Sequence, residues 1–140
     1  MKTAKELLLE FLEAFPIAAK AAALFADDGT LEIPYLESVN IQSMAEGPGE
    51  IEKFLATMIE MVPGWKFSNI KILMEDENQV FAEYELLAMA THTNRIYHQL
   101  FFGRLQSNGL GKIKLLREAQ NPLSAAKALL RNSIDDIPKE

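Results

Sequence analysis

The spacing of apolar residues changes once along the chain, close to residue 65. Before that point apolar side chains recur every three or four positions, which is typical of amphipathic helices. One helix is predicted from Ala4 to Phe15, and a short Ala-rich helix over 17–25. The most regular pattern covers 51–62 and stops at Pro63-Gly64, because proline and glycine end helices. The first half is therefore predicted to be mainly helical.

After residue 65 apolar and polar side chains alternate with a period of two, which predicts strands. The predicted strands cover 66–75, 79–91, 95–106 and 111–120, and the short segments between them are rich in turn residues. Tight connections between successive strands are typical of an antiparallel meander. The second half is therefore predicted to be one long, twisted sheet.

Shorter elements complete the prediction. Asp27-Asp28-Gly29 is predicted to be a turn, and Thr30 to Tyr35 a short strand with Leu31, Ile33 and Tyr35 on one face. Residues 36–49 are predicted to form an irregular loop. Asn121 and Pro122 suit the first positions of a helix that runs to Arg131.

These elements predict an α+β fold in which three N-terminal helices cover the apolar face of a curved antiparallel sheet. The result is a cone that is closed at one end. A length of 140 residues predicts a single domain over 1–140, with a core at 4–131 and a flexible tail at 132–140.

Composition narrows the possible functions. The net charge of −6 argues against binding to nucleic acid or to an anionic membrane surface. The chain has no cysteine and only two histidines, so no metal site is predicted. No segment resembles a nucleotide-binding loop, and no cofactor is predicted. The N-terminus lacks the apolar core of a signal peptide, and no apolar stretch is long enough to span a bilayer. A cytoplasmic protein is expected.

The order of these elements resembles the NTF2-like superfamily, which includes SnoaL-type polyketide cyclases and ketosteroid isomerase. The resemblance rests on Leu24-Phe25-Ala26-Asp27-Asp28-Gly29, a short strand that reaches Pro34, and a Pro-x-Trp motif before the meander. A closer likeness is to the phenazine-biosynthesis proteins PhzA and PhzB. It is carried by Pro63-Gly64-Trp65, by Tyr97-His98 with Leu100, and by 117–122, which resembles Arg-Glu-x-x-Asn-Pro.

The resemblance implies an acid/base role for Glu118 and a dimeric assembly. The glutamate of the matching motif is proposed as an acid/base group in those relatives, and they are dimers whose sheets pack together. A homodimer through the sheet is therefore expected here. Two departures limit the likeness: Ile33 stands where ketosteroid isomerase has its aspartate base, and 58–62 contains no pocket histidine.

Glu118 is the main candidate catalytic residue. If it points into an apolar cup, burial raises its pKa and makes it a general acid/base. If it points outward, it is a surface carboxylate paired with Arg104, Arg117 or Lys114. Alternation predicts that Glu118 shares a face with Lys114, Leu116 and Gln120. His98 is the second candidate, either as a cross-strand neighbour of Glu118 or as a core histidine without a catalytic role.

The predicted ligand pocket is lined by apolar and amphipathic side chains. They are Ile33, Tyr35, Phe54, Met58, Trp65 and Gln120. Glu83 and Glu85 alternate with apolar residues, and a solvent or interface face explains them better than a buried acidic pair. Two functions stay open: a cofactor-free isomerase, cyclase or condensing enzyme acting on a small hydrophobic, carbonyl-bearing or cyclic molecule, or a non-catalytic ligand-binding or dimeric interaction protein.

Overall fold

The computed structural model describes residues 1–139, which form four α-helices and six β-strands. In chain order these are α1 (Ala4–Ala14), α2 (Ala18–Ala22), β1 (Phe25–Glu32), β2 (Met44–Glu46), α3 (Gly47–Met61), β3 (Phe67–Glu75), β4 (Gln79–Ala90), β5 (Arg95–Ser107), β6 (Ile113–Ala119) and α4 (Pro122–Leu129). Two short 3-10 helices cover Pro34–Val39 and Ser133–Asp136.

The six strands form one sheet in the order β2-β1-β6-β5-β4-β3. Strands β3 to β6 are the predicted antiparallel meander, and β1 adds to its end by pairing in parallel with β6. Strand β2 then pairs with β1 at the sheet edge. The predicted α+β class is therefore confirmed, with β6 between two neighbours in the interior of the sheet.

Helices α1 and α3 cover the inner face of this sheet, and α2 packs against both of them. Helix α1 begins with a capping box, in which Thr3 and Glu6 each bind the other's backbone amide, and it buries one apolar side. Helix α3 buries Phe54 and Met58 and packs against α2 and β1. The predicted cover of three helices is thus present, and it encloses the core.

The prediction was wrong in detail between residues 25 and 49. Strand β1 begins at Phe25, so Asp27-Asp28-Gly29 lies inside a strand, where an irregular register with β6 lets polar residues face outward. The strand ends before Pro34, which opens a 3-10 helix that includes Tyr35. The loop predicted at 36–49 contains β2, and its Gly47-Pro48-Gly49 forms the first turn of α3.

The C-terminal helix follows the prediction. Asn121 caps α4 by accepting hydrogen bonds from the amides of Leu123 and Ser124, and Pro122 occupies the first turn. The tail that follows contains the second 3-10 helix, and its mobility stays a prediction. Glu140, the last residue of that tail, lies outside the described residues. Across 1–139, no helix is long and apolar enough to cross a membrane.

Candidate functional site

Glu118 points into the interior from β6. Its side chain is only 4% exposed, and Leu116 and Gln120 are buried on the same face. Lys114 does not share this face: the β5–β6 register shifts next to it, and Lys114 is exposed while Ile113 is buried. The predicted alternation was wrong at that position because the bulge adds one residue to the strand.

A hydrogen bond from Tyr84 holds the carboxyl group of Glu118. The hydroxyl of Tyr84, on β4, donates to Oε2 of Glu118 across the intervening strand β5. Gly103 of β5 lies directly opposite Glu118, and a Cβ at that position would overlap the Tyr84 hydroxyl. The absence of a side chain at Gly103 therefore makes room for the Tyr84–Glu118 contact, which is one reason for glycine inside a strand.

Burial dominates the electrostatics of this pair. It raises the pKa of Glu118 to about 7, although the Tyr84 hydrogen bond acts in the opposite direction. Burial and the nearby Glu118 charge also raise the pKa of Tyr84 well above its usual value, so Tyr84 stays a neutral donor. Within residues 1–139 no Lys, Arg or His nitrogen lies within ion-pair distance of Glu118. Near pH 7 its ionised and protonated forms therefore coexist.

A second polar network lies beside Glu118. Gln99 binds the backbone of Asn121 twice, since its Nε2 donates to the carbonyl at 2.9 Å and its Oε1 accepts from the amide at 2.9 Å. The same Nε2 donates to the Tyr97 hydroxyl, which donates at 3.1 Å to Oε1 of Gln120. Burial raises the pKa of Tyr97 far above its usual value, so this hydroxyl keeps its proton.

Six of the eight residues that were predicted for the site line one interior cavity. The six are Ile33, Phe54, Met58, Trp65, Glu118 and Gln120, and apolar side chains such as Phe15, Leu31, Leu55 and Phe101 complete the wall. The cavity volume is about 10 Å³, which is enough for about one water-sized group. The cup is thus almost filled by its own side chains, and a larger ligand requires some of them to move.

Two buried polar atoms, both on residues that line this cavity, have no hydrogen-bond partner among the described residues. They are Nε1 of Trp65 and Nε2 of Gln120. Trp65 is 4% exposed and stacks on Phe15, with 4.8 Å between ring centroids. Buried donors of this kind are rare because leaving them unpaired costs free energy. The residues around the cavity therefore combine an apolar wall, a protonatable carboxyl group and two buried N–H donors without acceptors among the described residues.

Both predicted placements of His98, beside Glu118 and in the core, were wrong. His98 lies opposite Leu87 on the outer face of the sheet, its side chain is 66% exposed, and its Nε2 is 3.7 Å from Glu85. Glu118 lies on the inner face and is opposite Gly103. Because successive residues of a strand point to opposite faces, these two side chains are separated by the sheet itself. Glu83 and Glu85 also belong to the outer face, as expected.

Tyr35 does not line the cavity either. Its ring is 56% exposed, because the strand ends before Pro34 and the 3-10 helix turns Tyr35 towards solvent. Conversely, the sequence reasoning missed Tyr84, Tyr97 and Gln99, which orient the polar groups of the site. One signal was available: Gly103 interrupts an otherwise regular strand, and such a glycine often marks a close approach.

The fold is that of the NTF2-like α+β proteins. An NTF2-like protein from Burkholderia thailandensis has a TM-score of 0.76 at 15% identity, over 92% of this chain and 98% of that one. A proposed isomerase from Bacillus subtilis has a TM-score of 0.79 at 19% identity, over 91% of this chain and 93% of that one. A phenazine biosynthesis-related protein from Pseudomonas aeruginosa has a TM-score of 0.73 at 19% identity, over 98% of this chain and 87% of that one.

The family follows from the sequence. The family model of the SnoaL-like domain matches residues 8–114, so the chain belongs to the SnoaL-like family. The resemblance to SnoaL-type proteins is thereby confirmed. The sequence has no significant match among curated proteins.

Proposed function

We propose that this protein is a cofactor-independent acid/base enzyme that moves a proton within a small, largely apolar molecule bearing a carbonyl group. The observation that carries the proposal is the buried carboxyl group of Glu118, which has a pKa of about 7 and borders a cavity. A group with such a pKa both accepts and returns protons near neutral pH. An isomerase or cyclase is the reaction class proposed.

The proposed step needs no other reagent. Ionised Glu118 takes a proton from the carbon next to the carbonyl group, and the C–H electron pair forms a carbon–carbon double bond while the oxygen becomes negative. Protonated Glu118 then returns the proton to the same carbon or, where a second carbon–carbon double bond is conjugated with the enolate, to the far carbon of that double bond. Tyr84 positions the carboxyl group by donating to Oε2, which leaves Oε1 as the atom that exchanges the proton.

Substrate access is proposed to occur beside Gln120. This residue borders the interior cavity and also a surface pocket of about 430 Å³ that is lined by His98, Asn121 and Ser124 among others. Met58, an unbranched and adaptable side chain in the cavity wall, is the group we expect to move to make space for a ring. His98 then lies at the outer mouth rather than at the reacting carbon.

The first experiment is a titration of Glu118 by NMR on protein labelled with ¹³C at the glutamate carboxyl carbon. The resonance that is missing in Glu118→Gln is expected to titrate with a midpoint of about 7. A midpoint near the ordinary value of 4.5 would overturn the proposal. The matched control is Glu83→Gln, which removes a carboxylate from the outer face of the same sheet.

Turnover is tested with a panel of cyclic enones, followed by ¹H NMR in D₂O. Exchange of the proton next to the carbonyl group is expected to fall by about 10²-fold or more in Glu118→Gln, the usual contribution of a general acid/base. It is expected to stay unchanged in Glu83→Gln. An equal rate in wild type and Glu118→Gln would argue that Glu118 takes no part.

A second candidate function is a dimeric interaction protein with a filled interior. The small cavity favours it, and so does an outer sheet face that exposes Leu87 and Ile96. We propose that this face forms a homodimer, as the relatives' assembly implies, and the dimer is compatible with either function. A cytoplasmic location, the lack of a cofactor and the absence of nucleic-acid partners stay predictions.

A further inference from the structure

The orientation of the Gln120 amide is fixed by a chain of hydrogen bonds that starts at the backbone. The backbone amide and carbonyl of Asn121 allow only one orientation of the Gln99 side-chain amide, with Nε2 towards Tyr97. The Tyr97 hydroxyl accepts from that Nε2 and must donate onward, to Oε1 of Gln120. Nε2 of Gln120 is therefore turned away from the network, and it has no acceptor within residues 1–139.

Trp65 supplies a second donor on the same cavity wall. An indole N–H only donates, so its orientation leaves no ambiguity about its hydrogen-bonding role. Trp65, Gln120 and Glu118 thus line one space that is large enough for an oxygen atom. Trp65 and Gln120 each carry a buried N–H group that has no acceptor among residues 1–139.

We propose that Nε1 of Trp65 and Nε2 of Gln120 bind one oxygen of the ligand, the carbonyl oxygen that becomes the enolate oxygen. This inference rests on the proposed function, and it names the polar group of the substrate and the residues that recognise it. Tyr97 and Gln99 act as positioning residues, because they fix the Gln120 amide and do not line the cavity.

The arrangement suits the charge that moves during the reaction. When Glu118 takes the proton it becomes neutral, and the negative charge passes to the ligand oxygen beside two fixed donors. Donors that are already in place need no reorganisation as the charge develops, which is the basis of oxyanion stabilisation. The same pair disfavours ligands without an acceptor, since a hydrocarbon leaves both N–H groups unpaired.

Trp65 is the only tryptophan of the chain, so its indole N–H gives a single, assignable signal in a ¹H–¹⁵N spectrum. The probe is cyclohexanone, and its isostere methylenecyclohexane carries CH₂ in place of the oxygen. Titration with cyclohexanone is expected to move the Trp65 indole proton and the Gln120 amide protons downfield. Methylenecyclohexane is expected not to do so. Equal shifts with both probes, or no ketone-dependent shift with cyclohexanone or the smaller acetone, would overturn the inference.

Variants separate the donors from the apolar wall. Trp65→Phe keeps an aromatic ring but removes the N–H, and Gln120→Leu removes the amide. Each is expected to reduce the preference for ketone over hydrocarbon by about tenfold, the usual scale of one hydrogen bond. Met58→Leu changes the wall without changing a donor, so it should weaken or strengthen both probes alike. A preference for ketone that is unchanged in Trp65→Phe and Gln120→Leu would contradict the proposal. If either variant fails to fold, the cyclohexanone titration of the wild-type protein tests the proposal instead.

Glu118→Gln distinguishes this inference from the proposed function. It removes the base but keeps both donors, so the ketone-dependent indole shift is expected to persist. Loss of proton exchange with a retained shift supports both statements. An ordinary Glu118 pKa with a retained shift would refute the base and leave the oxygen site, whereas a raised pKa without the shift would refute the oxygen site alone.

Discussion

The two faces of strands β4, β5 and β6 differ in how deeply their polar side chains are buried and in how these are hydrogen-bonded. The inner face buries Tyr84, Gln99 and Glu118 and gives each a hydrogen-bond partner from a neighbouring element. The outer face of the same strands exposes Leu87 and His98 beside half-buried Glu85. Both faces mix apolar with polar side chains, but among residues 1–139 the inner face buries a single charged residue, Glu118.

The difference teaches that the chemistry of a carboxylate here depends on which side of the sheet it occupies. Glu118 and Glu85 are both hydrogen-bonded, to Tyr84 and Asn69 respectively. Only Glu118 lies within the helix-covered core, away from cations, where burial shifts its pKa towards neutrality. Glu85 stays near solvent and within reach of His98. The inner face therefore fits proton transfer, and the outer face fits association.

The largest expected effect comes from Gly103→Ala, which disturbs the inner face alone. The new Cβ would overlap the Tyr84 hydroxyl and force it away from Glu118. Overpacking together with a lost buried hydrogen bond is expected to lower the free energy of unfolding by about 2 to 5 kcal/mol. Urea unfolding measures this.

Gly49→Ala is the matched control, because a Cβ there meets no atom within 4 Å. It is expected to change stability by about 0.5 kcal/mol or less. If Gly103→Ala were equally harmless, Tyr84 would not depend on the space above Gly103, and the described contact with Glu118 would be wrong.

Glu118→Gln tests the same face through pH. A carboxyl group whose pKa is about 7 when folded and 4.5 when unfolded binds its proton more tightly in the folded state. Its contribution is therefore full below pH 4.5 and is lost as pH rises through 7. Between pH 5 and 8.5 wild type is expected to lose about 2 to 3 kcal/mol relative to Glu118→Gln, which stays neutral throughout.

The measurement is urea unfolding of both proteins at the two pH values, because the difference between them cancels the titration of other groups. The control is Glu83→Gln, for which wild type and variant are expected to change together with pH. A gap between wild type and Glu118→Gln that does not vary with pH would show that burial leaves the Glu118 pKa unperturbed.

Periodicity alone was sufficient to predict most of the sheet, since an apolar residue at every second position marks a strand wherever it pairs. Periodicity together with the family resemblance pointed to Ile33, Phe54, Met58, Trp65, Glu118 and Gln120, whose side chains share the cavity wall. Periodicity failed where one extra residue or a turn interrupts the alternation of inward and outward side chains. The bulge at Lys114 and the helical turn after Pro34 each reverse or end an alternation, and a one-residue change moves a side chain to the other face.

The partners within the site were harder to predict, because they come from strand register rather than from any local pattern. Tyr84 reaches Glu118 only since β5 lies between their strands and offers Gly103 at the crossing point. His98 was predicted either beside Glu118 or in the core, and the register places it opposite Leu87 on the outer face instead. Register in turn depends on turns and bulges whose geometry the sequence leaves open.

Leu87→Lys tests the outer face. Leu87 is 68% exposed on that face, so a lysine is expected to change the stability of the subunit by about 0.5 kcal/mol or less but to disrupt a sheet-to-sheet dimer. Sedimentation velocity is expected to show a dimer for wild type and a monomer for the variant. Leu110→Lys, in the exposed β5–β6 turn, is the control that should stay dimeric. A monomeric wild type would refute the dimer.

The smallest effect is expected from His98→Gln, and it separates the two faces most directly. His98 is mostly exposed, and its contact with Glu85 is a long one at 3.7 Å, so its loss is expected to cost about 0.5 kcal/mol or less. The ¹³C titration of Glu118 should keep its midpoint, because the sheet lies between the two side chains. A displaced midpoint in His98→Gln, with none in Glu83→Gln, would mean that the two faces are coupled and that His98 influences proton transfer after all.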